Sequence, residues 1–365
     1  MITRPELQHK NILYIGVKFY YYHQQLIEKL EDNYGAKVDY FPERDTSIIY
    51  GIINRLNPSR LEAYQELHYK KILTQITNKK FDYFLVIRGF KMPLWFVKKI
   101  KSLNPGLKLI NYQWDSNTNS PFINLTPAYN ILPEFDVKLT FDYKDVEDHA
   151  QLNYSPTFYT DEIKELGEKT NNGNFKYDLF YFGSYLPERY KGLLKFMEFA
   201  KKHNYSVKFH FYMPIRYFII ERLKGVKIDW KLIKFGKMSR TNYINNLSMS
   251  KTIIDVSNTK QSGMAMRVLD ALGSGKKVIT TNKWVAKDDI YNPKQIAIID
   301  IENIELPDGF IEDNSYLPRS AEFNLNRWIE RVFIESFEDT ITRLGINPIS
   351  NDGQTALKQS MTNTL

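Results

Sequence analysis

At 365 residues the chain is too long for one comfortable core and suits two domains of about 150 residues each. Its 43% hydrophobic content and 15% aromatics, mainly 25 Tyr and 23 Phe, exclude a disordered chain and supply rings that stack as well as fill cores. Zero cysteines exclude a disulfide framework or a thiolate metal site, and the net charge of +8 comes without any zinc-finger, helix-turn-helix or basic-zipper spacing, so nucleic acid is not an expected partner.

Residues 1–10 are polar and lack the apolar centre of a signal peptide, and no stretch approaches about 20 apolar residues, so a cytoplasmic chain, soluble or peripheral to the inner membrane, is expected. The basic excess reads as spread along the chain in patches such as Lys98, Lys99 and Lys101 or Lys276 and Lys277, mostly as a solvated face. The remainder suits phosphate-bearing ligands or anionic lipid.

The first elements read as strand 11–17, helix 22–30, strand 37–41, helix 61–76 and strand 81–87, the last too continuously apolar for a half-wet strand. Helix 93–100 and strands 107–114 and 137–141 continue the alternation, which implies a parallel α/β sheet. Residues 160–177 turn polar and turn-prone, which places a boundary there. A second series follows: strand 178–182, helix 190–202, strand 206–212, helix 241–249, strand 252–256, helix 265–272 and strand 277–280. The division expected is a Rossmann-like domain over 1–165, a linker over 166–176, a second Rossmann-like domain over 177–322, a terminal helix over 323–346 and a frayed tail over 347–365. In the terminal helix Trp328, Ile329, Val332, Phe333 and Phe337 share one face.

The most informative stretch runs from Gln261 to Thr280, where Gln261-Ser-Gly opens a helix holding Arg267 and Asp270, and Gly273-Ser-Gly-Lys-Lys leads into a strand. Amides at a helix start and the positive end of its dipole make an anion site, and Gly263 permits close approach. Ser262 adds a hydroxyl, Arg267 lies in reach of a diphosphate, and Asp270 is a candidate acceptor for ribose hydroxyls. A plainer alternative has Ser262 capping the helix, Gly273 ending it and Arg267 pairing with Asp270 on a wet surface. Position favours the ligand reading, since open parallel sheets bind ligands at the carboxyl ends of their strands.

This second domain resembles the donor-binding domain of GT-B glycosyltransferases, in the branch that builds capsule and lipopolysaccharide. Those enzymes carry a helix with an acidic residue before Ala-Leu-Gly, a small residue and Gly-Lys, then a strand ending in Ile-Thr, and Asp270 to Thr280 is similar. The resemblance implies that Asp270 binds the nucleotide ribose. The common version has a second carboxylate eight positions earlier, where this chain has Ser262. Asp178-Leu-Phe-Tyr-Phe-Gly-Ser resembles the opening strand of the same domain, which implies Gly183 and Ser184 at the cleft with Arg189 nearby. Tyr112-Gln-Trp-Asp-Ser, Phe135-Asp-Val and Phe141-Asp-Tyr-Lys-Asp are similar to first-domain segments of these enzymes.

Asp115, directly after a predicted strand, is the candidate base for an acceptor hydroxyl, with a turn cap formed with Ser116 as its alternative. Gly16 and Lys18 close the first strand and are candidates for the cleft. His23 follows as a weaker base, more often structural when alone on a helix. Gly273-Ser-Gly-Lys-Lys fails as a P-loop because Asp270 replaces the first glycine and the order is helix to strand. No G-x-G-x-x-G follows the first strand, the six histidines lack ligand spacing, and no Asp-x-Asp occurs, Asp288 and Asp289 being adjacent. No cofactor and no metal are expected.

The fold expected is α/β, two Rossmann-like domains whose parallel sheets face an interdomain cleft. The resemblance implies transfer of a sugar from a nucleotide-sugar donor to a glycan or lipid-linked glycan of the bacterial surface, with peripheral contact to the membrane. A nucleotide-sugar epimerase of the same fold and a non-catalytic glycan- or nucleotide-binding protein remain as alternatives.

Overall fold

The protein is described from a computed structural model covering residues 6–18, 21–45, 47, 50, 53, 58–116, 130–169, 175–313 and 321–335. The first sheet comprises β1 (Asn11–Gly16), β2 (Lys37–Pro42), β3 (Tyr83–Ile87), β4 (Lys108–Gln113), β5 (Val137–Thr140) and β6 (Asn153–Tyr154). Their order is β2-β1-β3-β4-β5-β6, and every pairing is parallel. The helices between them are α1 (Tyr22–Asp32), α2 (Leu61–Ile76), α3 (Leu94–Leu103) and α4 (Tyr143–Asp148). Alternate side chains of β1 go to opposite faces, Ile12 and Tyr14 into one core and Leu13 and Ile15 into another. That is why these strands are apolar at consecutive positions.

The second sheet comprises β7 (Tyr177–Ser184), β8 (Val207–Tyr212), β9 (Ile233–Lys234), β10 (Ser250–Asp255), β11 (Lys277–Thr280) and β12 (Ile296–Ile298). Its order is β12-β11-β10-β7-β8-β9, again all parallel. Helices α5 (Asp161–Lys169), α6 (Pro187–Lys202), α7 (Ile215–Leu223), α8 (Arg240–Ser248) and α9 (Met266–Gly273) accompany it. After β9 the chain returns to lay β10 beside β7, so strand order reverses between those two. A crevice opens at such a reversal because the adjoining connections leave on opposite faces of the sheet.

Three local expectations change. The segment expected to be turn-prone forms α5, because Ile163 and Leu166 bury in the same core as Val268 and Leu272. Residues 213–240, where no element is expected, hold α7 and β9. Lys276 and Lys277 are buried rather than solvated. Lys276 Nζ donates to the carbonyls of Ser248 and Ser250 at 3.3 and 2.7 Å, and Lys277 Nζ to that of Phe310 at 2.7 Å. Burial lowers the Lys276 pKa to about 8.

The chain then crosses back to the first domain. Helix α10 (Leu325–Ile329) continues as wide turns over Glu330–Ile334. Trp328, Ile329, Val332 and Phe333 enter the core that holds Tyr14 and Tyr112. The Trp328 ring lies 5.0 Å from Tyr112 and 5.2 Å from Phe158. The expected terminal helix is therefore helical from Leu325 to Ile334, while Phe337, the rest of that helix and the tail lie outside the described residues.

Candidate functional site

A cavity of about 620 Å³ lies between the two sheets, lined by residues of both domains. On the second domain it meets the crevice between β7 and β10, bordered by Gly183, Ser184, Arg189 and the beginning of α9. Helix α9 starts after an extended Ala265, and among the described residues no side chain caps its first amides. Ala265, Met266 and Arg267 line the cavity. Uncapped amides and the positive end of the helix dipole are therefore presented to it.

The loop before this helix behaves differently from its expectation. The Ser262 and Gly263 amides do not face the cavity: both donate to Asp142 Oδ2 of the first domain, at 2.8 and 3.0 Å. Ser262 Oγ donates to the other oxygen of the same carboxylate and accepts from Lys144 N at 2.8 Å. A Cβ on Gly263 would stand 2.5 Å from the Phe141 ring and carbonyl. Close approach is thus the reason for this glycine, but the approaching group is protein. Gln261 lines the cavity.

Arg267 pairs with buried Asp255 at the end of β10, not with Asp270 one turn along. Its guanidinium is fixed beside the helix start, and Arg189 Nε donates to the Val256 carbonyl at 3.1 Å, which brings a second cation to the crevice. Asp270 is buried at the cavity wall and accepts from the Tyr243 hydroxyl at 2.8 Å. Its Oδ1 has no hydrogen-bond partner among the described residues. Burial raises its pKa from 3.8 to about 6.

On the first domain, Asp115 follows β4 and lines the cavity with Trp114. Its Oδ2 accepts from Arg88 Nη1 at 2.9 Å, and its side chain is 46% exposed. Arg88 is itself buried and held by Glu43. Ser116 Oγ lies 3.5 Å from Asp145 Oδ1 and from the Lys260 carbonyl. The other three first-domain candidates are not among the described residues that line the cavity. The Gly16 carbonyl accepts from Glu43 N at 2.9 Å and from the Tyr40 hydroxyl at 3.2 Å. Lys18 is exposed. His23 is buried with its ring 5.2 Å from Tyr40.

Sequence reasoning missed Arg240, Tyr21, Tyr22 and Tyr243, all of which line the cavity. The Arg240 guanidinium lies 4.3 Å from the Tyr21 ring and 5.4 Å from Tyr243, with Nε donating to Glu162 at 2.7 Å. One cation thus joins aromatic groups of both domains. The available signal was the Tyr21-Tyr22 pair between the first strand and its helix. Asp142 was missed as an interdomain contact, and Asp288 likewise: it accepts from the hydroxyls of Tyr143 and Tyr154 at 2.6 and 3.1 Å. Among the described residues no group of three or more His, Cys, Asp or Glu is placed to hold a metal.

No protein-family model matches the chain, and no curated protein matches it in sequence. Solved structures do. An alpha-glucosyltransferase crystallised with UDP and a 13-mer DNA containing an A:G mismatch is 12% identical, with 91% of this chain and 95% of that chain covered at a TM-score of 0.54. A glycosyltransferase from Rickettsia africae ESF-5 is 14% identical, with 90% and 100% covered at 0.52. The chain has the GT-B fold, two Rossmann-like domains facing a cleft.

Proposed function

We propose that the protein is a glycosyltransferase that holds a nucleotide-sugar in this cavity and passes its sugar to a glycan hydroxyl. The observation carrying the reading is the uncapped start of α9, which lines the same cavity as Arg189, Arg267 and Asp115. That end suits a diphosphate, and the unpartnered oxygen of Asp270 suits a ribose hydroxyl. As the bond from the sugar to the diphosphate oxygen breaks, the leaving group gains negative charge, which the helix amides and guanidiniums stabilise without a metal. Asp115 takes the proton of the attacking hydroxyl while the new glycosidic bond forms. Tyr21, Tyr22 and Trp114 keep water from the oxocarbenium-like centre. The acceptor proposed is a surface glycan of capsule or lipopolysaccharide type, lipid-linked and met at the inner face of the membrane; the likeness of Asp270 to Thr280 to those enzymes supports it.

The test is a thermal-shift screen against nucleoside-diphosphate sugars and free nucleotides, followed by transfer assays with the donor found. A ligand at about 100 times its Kd stabilises by roughly 2.7 kcal/mol. Asp115→Asn is expected to keep that shift and to lower kcat by about 10²–10⁴-fold. Absence of any nucleotide-dependent shift overturns the donor site. Conversion of the donor without an acceptor favours an epimerase, and binding without turnover favours a binding protein.

A further inference from the structure

The segment between Tyr212 and Lys237 leaves the cavity wall and returns to it, since both residues line the cavity. Between them stand α7, the 3₁₀ turn Trp230–Leu232 and the edge strand β9. None of the nine residues of α7 is buried. Ile215, Ile219 and Leu223 follow one another at i, i+4 and i+8, so they form a single row along the helix. Leu223 is 83% exposed, and Trp230, further along the chain, is 64% exposed. Phe218 is half-buried and packs against the second-domain core, with its ring 5.4 Å from Phe235.

The same segment concentrates charge. Residues 215–237 contain seven basic and two acidic side chains, so they carry +5 of the chain's +8, and the excess is not spread evenly as the sequence reading has it. All seven cations, Arg216, Arg222, Lys224, Lys227, Lys231, Lys234 and Lys237, are exposed. Of the acids, Glu221 pairs with Lys224 at 2.9 Å, and Asp229 caps the 3₁₀ turn through Lys231 N.

We infer that this lobe is a membrane-docking surface that inserts Ile215, Ile219, Leu223 and Trp230 among the headgroups of an anionic bilayer while its lysines and arginines engage lipid phosphates. Charge complementarity selects this occupant. A second copy applied through the same face would set +5 against +5, and a nucleic acid would leave the aliphatic row of Ile215, Ile219 and Leu223 without an apolar partner. A bilayer rewards both features, because apolar side chains with an interfacial Trp enter the boundary while cations hold the anionic surface. Docked this way, the cavity edge at Tyr212 and Lys237 lies next to the membrane, where a lipid-linked acceptor resides. The inference rests on the membrane association proposed above for its place at the site, but not on sugar transfer.

The test is flotation of the full chain with vesicles of equal parts phosphatidylglycerol and phosphatidylcholine, against vesicles of phosphatidylcholine alone. The wild type is expected to float with the first and to be released by high salt. Ile219→Glu/Leu223→Glu is expected to lower partitioning at least about tenfold, and Lys227→Glu/Lys231→Glu to abolish the preference for anionic vesicles. Both variants are expected to keep the wild-type Tm, donor-induced shift and transfer to a soluble acceptor, since these side chains are exposed outside the cavity. Failure of the wild type to float overturns the inference, as does equal flotation of the Ile219→Glu/Leu223→Glu variant. A concentration-dependent dimer abolished by that variant, without vesicle binding, overturns it in favour of self-association. Loss of transfer in an assay where flotation persists would sink the enzymatic reading and leave this one standing.

Discussion

The two domains open with the same local sequence and put it to different use. Strands β1 and β7 carry Tyr-x-Gly at their carboxyl ends, Tyr14 to Gly16 closing β1 and Tyr181 to Gly183 one residue short of the end of β7. Residues two apart in a strand share a face, and the tyrosine lies over the glycine in both. A Cβ on Gly16 would stand 2.6 Å from the Tyr14 ring, and one on Gly183 2.8 Å from the Tyr181 hydroxyl. In the first domain this strand end is closed. Tyr40 packs against Tyr14 with ring centroids 4.9 Å apart and the planes tilted by 53°, the Gly16 carbonyl is occupied, and Glu43 ties Arg88 across the end of the neighbouring strand. In the second domain Gly183 and Ser184 stay open to the cavity, and the nearby cations Arg189 and Arg267 face a crevice. Tyr-x-Gly marks a strand end with bare backbone, and the element packed next to it decides whether that end is covered or stays open to the cavity.

The Glu43–Arg88 plug offers the largest effect with which to break this contrast. Arg88 sits in the left-handed region at φ 70°, a conformation that costs a non-glycine residue about 1–2 kcal/mol, and its side chain is buried. Glu43→Ala leaves that guanidinium without its buried partner and is expected to destabilise by about 3–5 kcal/mol in denaturant melts. Donor affinity is expected to stay unchanged, because the plug closes the first-domain end without touching the second. A drop in donor affinity equal to the stability loss would show that the two ends are not independent.

Asp270 comes next. Its carboxyl is pushed up to about 6 from 3.8 by burial, so the folded state holds the proton more tightly than the unfolded chain does. The resulting stabilisation is complete below about pH 4 and is lost as pH rises through about 6, a change of roughly 3 kcal/mol. Melting the wild type and Asp270→Asn side by side over that range is expected to show the wild type losing ground to the variant as pH rises. Over the same range donor affinity is expected to increase in the wild type alone, since the ionised carboxylate accepts more hydrogen bonds. Parallel curves for the two proteins would remove Asp270 from both roles.

The glycine pair gives the smallest and sharpest comparison. Gly16→Ala and Gly183→Ala each force a methyl against a tyrosine and are expected to cost about 1–3 kcal/mol of stability. Only Gly183→Ala is expected to weaken donor binding in titration calorimetry. Equal loss of donor affinity in both variants would mean that the first-domain strand end also faces the ligand.

Much of this was legible from short stretches of chain. The strands with continuous apolar runs, such as Phe84 to Ile87, lie within about two residues of their expected positions, because burial on both faces leaves no polar alternation. The row of Trp328, Ile329, Val332 and Phe333 was legible as a buried face, but not which domain it would bury against. Helix α7 escaped notice because its apolar residues are spread all round it and, Phe218 apart, exposed, so it lacks the one-sided stripe by which a surface helix is recognised. At the site, Gly183, Ser184, Arg189, Gln261, Arg267 and Asp270 were expected at the cleft and line the cavity. Ser262 and Gly263 instead face Asp142, which lies 120 residues from Ser262 in the chain.

That last contact marks where reading the chain stops. Periodicity, glycine turns and strand–helix alternation are set by neighbours a few residues apart, so a string of letters is enough to give two parallel α/β domains and the place where each could bind a ligand. Which amides stay open is settled by side chains that meet only after both domains are folded, as when Asp142 occupies the loop ahead of α9, Asp255 claims Arg267 and Arg240 reaches Tyr21. A hydrogen-bonding group satisfied by a distant partner looks, in the sequence, the same as one left for a ligand, because its own neighbours do not record what will approach it.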